Sequence, residues 1–284
     1  MLAQVVVVEL NSAVFPNNRY KGYELNSGYG ADSIFFAPSL FWDLNFGTKP
    51  LFSYLNTLIA TSKNWDDLYV NTVEQWAKSV FPAGVQTLMR RRNDERIALE
   101  VEPNATRRQR EFAEGRDCAR TLLDHFEVSE EVGVAEDRSP IWPTGFAGSI
   151  SHSDNWVWTS VAESANTSSL GIDTEVIVTR KTRNLLYDDI VTEQERMIIG
   201  SLGLNPEMAF TLAFSAKEAF YKCWYPITKQ FFGFRQAGIQ SCNSKTIRIV
   251  SLVSNPNFKL TPNWLDVHYL ATDNDVFTAT WMEQ

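Results

Sequence analysis

The sequence predicts a mixed fold of α-helices and antiparallel β-strands, and three patterns support that prediction. Residues 64–81 carry apolar side chains at helical spacing. The side chains of residues 155–163 alternate in character from one residue to the next, as is typical of a strand. Near the C-terminus, two strand-like segments flank the short connection 272–275, which is typical of a hairpin.

The predicted helices begin at polar capping residues. Three such starts are present: Thr106 with Gln109, Thr192 with Glu195, and Asn205 before Pro206. The first helix should cover residues 107–126 and bury an apolar stripe that begins at Phe112 and ends at Phe126. The third should end at Pro226, because proline cannot donate a backbone hydrogen bond.

The predicted strands lie on both sides of a short segment of small, mostly polar residues. The strand candidates are residues 5–8, 155–163, 170–178, 246–253, 267–271 and 276–281. The segment itself, residues 164–169, is interpreted as a hinge, so we expect two halves, 1–165 and 166–284. A six-residue similarity between 155–160 and 274–279 would follow if the halves were related.

Composition excludes several classes of protein. The 284 residues are 44% hydrophobic, which is enough for one large domain or two smaller ones. A net charge of −8 argues against a general nucleic-acid binder, because such proteins neutralise phosphates with excess positive charge. No segment approaches the ~20 apolar residues of a membrane span, and residues 5–8 are too short a run for a signal peptide. We expect a cytoplasmic protein.

The three cysteines and three histidines do not form a recognisable metal or disulfide pattern. Cys118, Cys223 and Cys242 are irregularly spaced and are expected to be thiols in a reducing compartment. The histidines lack zinc-ligand spacing, and we expect His125 and His268 to be structural. His152 lies among serines just after Gly148, where it fits a hydrogen-bond donor to phosphate. A serine-hydrolase site is excluded there, because no nucleophile elbow is present.

Two carboxylates share one face of the predicted strand at residues 170–178. Side chains alternate along a strand, so Asp173 and Glu175 point the same way, with Cα atoms ~6.6 Å apart. Two carboxylates that close repel each other unless one is protonated or a cation lies between them. Oxygen ligands of this kind suit Mg²⁺. The alternative is a strand with two acids that simply face solvent.

A cationic and an acidic side chain come together on the predicted helix that begins at Pro206. Glu218 and Lys222 are four residues apart and therefore lie on one face. Lys217 adds a second ammonium, so the group could clamp phosphate beside a general base. The alternative is a surface ion pair worth ~0.3–0.5 kcal/mol.

Arginines accumulate between residues 90 and 120, with acids interleaved. On the helix at 107–126, Arg108 and Arg116 stand off the apolar stripe and lie about 12 Å apart along the axis. That separation suits two contacts on an extended anionic ligand. The alternative is a solvated, charge-balanced helix face.

The order of these clusters resembles that of the 4′-phosphopantetheinyl transferases, specifically the surfactin-type superfamily and its enterobactin-synthase-component-D-like branch. The resemblance covers residues 107–234. It rests on four ordered motifs: Arg108-x-x-Glu111-Phe112-x-x-Gly115-Arg116; Trp142-Pro143-x-Gly145 leading into Gly148-Ser149-Ile150-Ser151-His152-Ser153; Gly171-Ile172-Asp173-x-Glu175; and Phe214-Ser215-Ala216-Lys217-Glu218-x-x-Tyr221-Lys222. One departure is at Asp137, just before Arg138. The family carries lysine at the position of Asp137.

The resemblance implies a Mg²⁺-dependent enzyme that transfers the phosphopantetheine arm of coenzyme A to a serine of an apo carrier protein. The acceptors would be acyl, peptidyl or aryl carriers of siderophore or other secondary-metabolite synthesis. The implied metal ligands are Asp173, Glu175 and Glu218. The implied catalytic residues are Glu218, which activates the carrier serine, and Lys222. The implied coenzyme contacts are Arg108, Arg116, Ser151, His152, Lys217 and Lys222, with Ser151 and His152 near the 3′-phosphate.

The resemblance also implies an α+β fold of two similar α/β halves related by a pseudo-twofold axis, and a monomer. The N-terminal half, 1–165, would hold the nucleotide, and the C-terminal half, 166–284, would hold the metal strand and the Lys-Glu helix. Two alternatives remain at this point. One is a Mg²⁺-dependent pyrophosphohydrolase of coenzyme A or nucleotides, and the other is a non-catalytic relative that binds coenzyme A or a carrier.

Overall fold

The computed structural model describes residues 65–92, 105–253 and 263–284, in which runs of strands and runs of helices follow one another. The α-helices are α1 (Trp65–Val80), α2 (Arg107–Asp124), α3 (Arg180–Ile190), α4 (Glu193–Gly200) and α5 (Pro206–Thr228). The strands are β1 (Gln86–Arg91), β2 (Gly133–Val134), β3 (Pro140–Ile141), β4 (Phe146–His152), β5 (Trp156–Glu163), β6 (Thr167–Val176), β7 (Ala237–Cys242), β8 (Thr246–Ser251), β9 (Trp264–Ala271) and β10 (Asp275–Glu283). The strand predicted at 5–8 lies outside the described residues.

The capping signals mark helix starts correctly. Both capping boxes form, at Thr106 and at Thr192, and the Asn205 side chain accepts the Met208 amide at the start of α5. The predicted end at Pro226 is wrong, because α5 continues to Thr228. Proline is tolerated there because it lies in the last turn, where few intrahelical bonds remain to be lost. Phe112, predicted to be buried, is 51% exposed.

The strands form an antiparallel three-stranded sheet, an antiparallel five-stranded sheet and a small two-stranded ribbon. The three-stranded sheet has the order β1-β5-β4, the five-stranded sheet has the order β6-β10-β9-β8-β7, and the ribbon pairs β2 with β3. Helix segments pack against the two larger sheets. The predicted α+β class is therefore confirmed.

Two hairpins, β4–β5 and β9–β10, are built in the same way. In the first, the Ser153 amide donates to the Trp156 carbonyl at 2.9 Å and the Ser153 hydroxyl accepts the Trp156 amide at 3.2 Å. Thr272 and Asp275 make the equivalent bonds in the second, at 2.9 and 3.0 Å. Each hairpin is completed by a third antiparallel strand, β1 beside β5 and β6 beside β10. The repeated order supports the prediction of similar halves.

The two larger sheets meet along the edges of β4 and β6. The Ser149 hydroxyl accepts the Ile172 amide at 3.1 Å, and the Ser151 hydroxyl accepts the Thr174 amide at 3.2 Å. Serine hydroxyls therefore replace backbone carbonyls as partners of these two edge amides. We call these four residues the hydroxyl seam. The predicted boundary at 165/166 lies just before β6, in the short connection from β5, and the assignment of domains there stays a prediction.

Helix α5 lies directly on β6. A Cβ atom at Gly171 would stand 1.9 Å from the Ala219 carbonyl oxygen, so only glycine permits this approach. The apolar face of α5 and the inner face of the five-stranded sheet form the largest buried cluster, which includes Leu212, Phe220 and Ile247. Because β6 and α5 are so close, polar side chains at one end of both elements can meet.

Two expectations from composition can be compared with the described residues. No helix among them is long and apolar enough to cross a bilayer. All three cysteines are described and none forms a disulfide; Cys118 and Cys223 are buried.

Candidate active site

Asp173, on β6, is the centre of the candidate site. Its side chain is buried, and its Oδ1 atom accepts hydrogen bonds from Lys222 Nζ at 2.7 Å and Ser151 Oγ at 2.8 Å. The second oxygen, Oδ2, is also buried but has no hydrogen-bond partner among the described residues. An unpartnered buried carboxylate oxygen is costly, so a bound cation or donor is expected to use it.

Two further carboxylates, Glu175 and Glu218, share the electrostatic environment of Asp173. Burial and the Asp173 charge raise the pKa of Glu175 to about 8, although Lys222 opposes the shift. Burial also raises the pKa of Glu218, where Lys222 again opposes the shift and Asp173 adds to it. Asp173, Glu175 and Glu218 are called the carboxylate cluster below. Acids with raised pKa values in one partly buried place are typical of functional sites.

Lys222 supplies the positive charge of this group. Burial alone would lower its pKa, but Asp173 and Glu218 raise it, so the ammonium stays charged. Its Nζ atom contacts both Asp173 and Ser151. Lys222 and Glu218 are one helical turn apart, as their spacing predicted, so α5 brings a cation and a base to the end of β6 together.

The donor set fits a hard divalent cation. Within the described ranges, no three His, Cys, Asp or Glu side chains are already gathered into a ready-made metal site. Carboxylate oxygens are nevertheless the ligands that Mg²⁺ prefers, and Oδ2 of Asp173 is buried without a partner. Lys222 bonds only to Oδ1 of that carboxylate. The residues therefore suit Mg²⁺ on the side of Oδ2.

Ser151 and His152, predicted to hold the 3′-phosphate, point in different directions from β4. The Ser151 hydroxyl donates to Asp173 and accepts from Thr174 and Lys222, which uses its one proton and both lone pairs. These three bonds lie within the protein, and the contact of Ser151 with phosphate stays a prediction. His152 is exposed; partial burial and the nearby Lys222 charge lower its pKa, while Glu111 opposes the shift.

The prediction that Lys217 neutralises phosphate beside Lys222 is contradicted by its position. Its side chain is fully enclosed, and Nζ contacts Glu195 Oε1 at 2.8 Å, the Ile190 carbonyl at 2.7 Å and the Phe234 carbonyl at 3.0 Å. Helical rotation of about 100° per residue turns Lys217 away from the face that carries Glu218 and Lys222. Lys217 instead ties α5 to the neighbouring elements.

Arg108 and Arg116 are both on α2, as predicted, but differ in environment. Arg108 is exposed, and its side chain has no partner among the described residues. Arg116 is half-buried; its guanidinium lies over the Phe112 ring at 4.9 Å, and its buried Nη1 makes no hydrogen bond to a described residue. Phe112, which is exposed, therefore contacts Arg116 on the surface of α2. No described contact joins either arginine to the carboxylate cluster.

Several structurally important residues were not singled out as such by sequence. Glu195 was identified only as a capping residue, yet it is also the partner of Lys217. Asp137 accepts hydrogen bonds from Ser139 and from the Tyr225 hydroxyl, and these bonds lower the pKa of Asp137 to about 2. The motif glycines and serines were the signal for the hydroxyl seam, because small and hydroxylated residues alternate in Gly148-Ser149-Ile150-Ser151.

The two histidines expected to be structural make local contacts. His125 Nδ1 lies 2.8 Å from the Thr121 carbonyl oxygen on α2. His268 stacks on Trp281 with ring centroids 5.0 Å apart, and burial lowers its pKa. Neither contacts the carboxylate cluster in the described residues.

Comparisons with known proteins agree with this arrangement. Residues 97–162 match the model of the 4′-phosphopantetheinyl transferase N-terminal domain, and residues 169–274 match that of the 4′-phosphopantetheinyl transferase superfamily. The second match contains Asp173, Glu175, Glu218 and Lys222.

Named relatives match about half of the chain or more. The 4′-phosphopantetheinyl transferase Npt of Nocardia iowensis is 31% identical over 169 residues, which are 57% of this chain and 75% of that protein. Enterobactin synthase component D of Salmonella typhimurium LT2 is 32% identical over 174 residues, 61% of this chain and 71% of that protein. The 4′-phosphopantetheinyl transferase PptT of Mycobacterium tuberculosis is 32% identical over 137 residues, 48% of this chain and 60% of that protein. The chain belongs to the 4′-phosphopantetheinyl transferase superfamily, enzymes that transfer phosphopantetheine from coenzyme A to a carrier protein.

Proposed function

We propose that the transfer depends on Mg²⁺ held by the carboxylate cluster, with Glu218 and Lys222 as the catalytic residues. The observation that carries this proposal is the buried Oδ2 of Asp173, which has no described partner, in a carboxylate whose charge acts on both Glu175 and Glu218. When bound, the cation would offset charge on the pyrophosphate of coenzyme A. Asp173, Glu175 and Glu218 would be its protein ligands.

Glu218 would act as the general base. Burial raises its pKa, so its carboxylate is a stronger base than that of an exposed glutamate. It would accept the proton of the carrier serine as the serine oxygen bonds to the phosphorus that bears the pantetheine arm. The bond from that phosphorus to the bridging oxygen breaks, and adenosine 3′,5′-bisphosphate leaves. Lys222, which stays protonated, would stabilise negative charge on the phosphates.

The nucleotide part of coenzyme A would bind on the side of α2. Arg116 offers a half-buried guanidinium with an unpartnered Nη1, and Arg108 offers an exposed one on the same helix. His152, at the end of β4, would donate a hydrogen bond to the 3′-phosphate. Lys217 is omitted from the phosphate contacts, since it is saturated by protein partners.

The acceptor would be an acyl, peptidyl or aryl carrier protein, and siderophore synthesis is the proposed pathway because two Salmonella relatives are named enterobactin synthase component D. The halves proposed for the two tasks are 1–165 for the nucleotide and 166–284 for the metal. We also propose that the enzyme acts as a monomer in the cytoplasm.

The test is to incubate the full chain with coenzyme A, MgCl₂ and several apo carrier proteins, and to measure the intact mass of each carrier. We expect one carrier to gain one phosphopantetheine group, with no gain when EDTA replaces the metal. Hydrolysis of coenzyme A without a carrier would instead identify a pyrophosphohydrolase. Thermal stabilisation by coenzyme A without any product would identify a non-catalytic binder.

A further inference from the structure

The hydroxyl seam joins the two sheets beside the carboxylate cluster, and its two serines differ in one respect. Both point from β4 toward β6, and each accepts one β6 amide, Ile172 for Ser149 and Thr174 for Ser151. Only Ser151 also touches a charged side chain, donating to Asp173 Oδ1 at 2.8 Å. Ser149 therefore only joins the two sheets. Ser151 joins the sheets and also bonds to the candidate site.

The bonds of Ser151 determine which oxygen of Asp173 remains open. Ser151 Oγ and Lys222 Nζ both donate to Oδ1, and Lys222 Nζ also donates to Ser151 Oγ at 3.1 Å, so the three groups close a ring of contacts. Oδ2 is left buried and without a described donor. Because the Ser151 hydroxyl is fixed by the Thr174 amide, the orientation of the carboxylate is set by the backbone of β6 itself.

We propose that Ser151 is a positioning residue, which holds the Asp173 carboxylate through Oδ1 so that Oδ2 faces the cation site. This inference rests on the proposed function, in which Asp173 is a metal ligand. Partners in the outer shell of a metal site orient the ligands in this way, and their loss typically costs about 10- to 100-fold in metal affinity or activity. Ser151 thus acts through Asp173.

The chain supplies a matched control for the experiment. Ser151→Ala removes the bonds to Thr174, Asp173 and Lys222, whereas Ser149→Ala removes only the Ile172 bond from an equally buried position on the same strand. Backbone amide exchange should accelerate at Thr174 in the first variant and at Ile172 in the second. Both variants should lower Tm. Tm and amide exchange therefore measure the stability of the hydroxyl seam, and they do not measure the metal site.

Two measurements distinguish positioning from stability. Calorimetric titration with MgCl₂, in the absence of coenzyme A and carrier, should show about 10- to 100-fold weaker binding in Ser151→Ala and near-unchanged binding in Ser149→Ala. In the metal-free protein, the ¹³C shift of the Asp173 carboxyl should change in Ser151→Ala and not in Ser149→Ala. Ser151→Thr, which keeps the hydroxyl, should restore both readouts.

Other outcomes overturn the proposal. Equal weakening of Mg²⁺ binding in both alanine variants would mean that the seam acts only through stability. A raised KM for coenzyme A with unchanged Mg²⁺ affinity would make Ser151 a nucleotide contact. If the unmodified protein binds no Mg²⁺, the proposed metal role fails, whereas an Asp173 shift confined to Ser151→Ala would still support positioning.

Discussion

Lys217 and Glu218 are consecutive on helix α5, but their side chains serve different parts of the molecule. Lys217 Nζ is enclosed and contacts Glu195 Oε1 at 2.8 Å. Glu218 is partly exposed, and the charges that act on it are those of Lys222 and Asp173. One residue therefore anchors the helix, and its neighbour is available for chemistry.

Replacing Glu218 with glutamine should abolish most transfer while leaving the fold intact. Glutamine keeps the shape of the side chain but cannot accept the serine proton, so the rate should fall about 10²- to 10⁴-fold. The measurement is the rate of carrier mass gain at saturating coenzyme A. Glu193→Gln, at an exposed glutamate on α4, should retain the wild-type rate. Near-normal turnover by Glu218→Gln would remove Glu218 from the mechanism.

Replacing Lys217 with methionine should destabilise the protein without changing the chemistry of folded molecules. Breaking a buried ion pair leaves Glu195 charged and uncompensated, which costs about 3–5 kcal/mol of unfolding free energy. Denaturant unfolding measures this, with the exposed Lys245→Met as the control, expected to change stability by less than about 0.5 kcal/mol. A stable Lys217→Met variant that loses phosphate affinity would restore the phosphate role predicted from sequence.

Replacing Arg116 with alanine should weaken coenzyme A binding more than replacing Arg110, an exposed arginine on the same helix. Arg116 has a buried Nη1 that bonds to no described residue, and a phosphate would supply an acceptor for it. We expect KM for coenzyme A to rise about tenfold, or ~1.4 kcal/mol, with kcat little changed. Equal effects of both substitutions, measured by steady-state kinetics, would indicate only a general charge effect.

Much of the site could be predicted from local spacing. Strand alternation placed Asp173 and Glu175 together, and the four-residue interval placed Glu218 beside Lys222, because both relations are fixed by regular backbone geometry. The capping boxes fixed the starts of α2 and α4 for the same reason, since each is a bond between residues three apart.

What spacing could not predict depends on contacts between distant segments. Lys217 is turned inward because Glu195, 22 positions earlier in the sequence, lies beneath α5. Ser151 bonds to Asp173 because two sheet edges meet, which no motif within β4 or β6 reveals alone. Phe112 is exposed although its helical phase matched the buried stripe, and its ring contacts the Arg116 guanidinium.

The stability of the metal-free enzyme should fall as pH rises toward and through about 8. Glu175 has a folded-state pKa of about 8, above its value in the unfolded chain. The folded state then binds more protons than the unfolded state between these two pKa values, so rising pH favours unfolding. The stabilisation is complete below the unfolded pKa and is lost as pH passes the folded one.

Glu175→Gln should flatten that pH dependence, because glutamine does not titrate. Saturating Mg²⁺ should also flatten it for the unmodified protein, since a bound cation favours the ionised carboxylate. Thermal unfolding between pH 5 and pH 9, with and without Mg²⁺, provides the measurement. An identical pH slope in Glu175→Gln and the unmodified protein would assign the titration to another group.

Replacing Gly171 with alanine should disrupt the approach of α5 to β6. The added Cβ would lie 1.9 Å from the Ala219 carbonyl oxygen and 2.8 Å from the Cys223 backbone nitrogen, and neither backbone atom can rotate away. The helix must shift, which costs about 1–3 kcal/mol or more of unfolding free energy. Because Glu218 and Lys222 move with α5, transfer by the molecules that do fold should also fall.

The control is Gly200→Ala, where a Cβ meets nothing within 4 Å. This variant should preserve activity and change stability by no more than about 1 kcal/mol. Full transfer by folded Gly171→Ala would show that the carboxylate cluster tolerates a displaced helix, and that close contact at Gly171 serves packing alone.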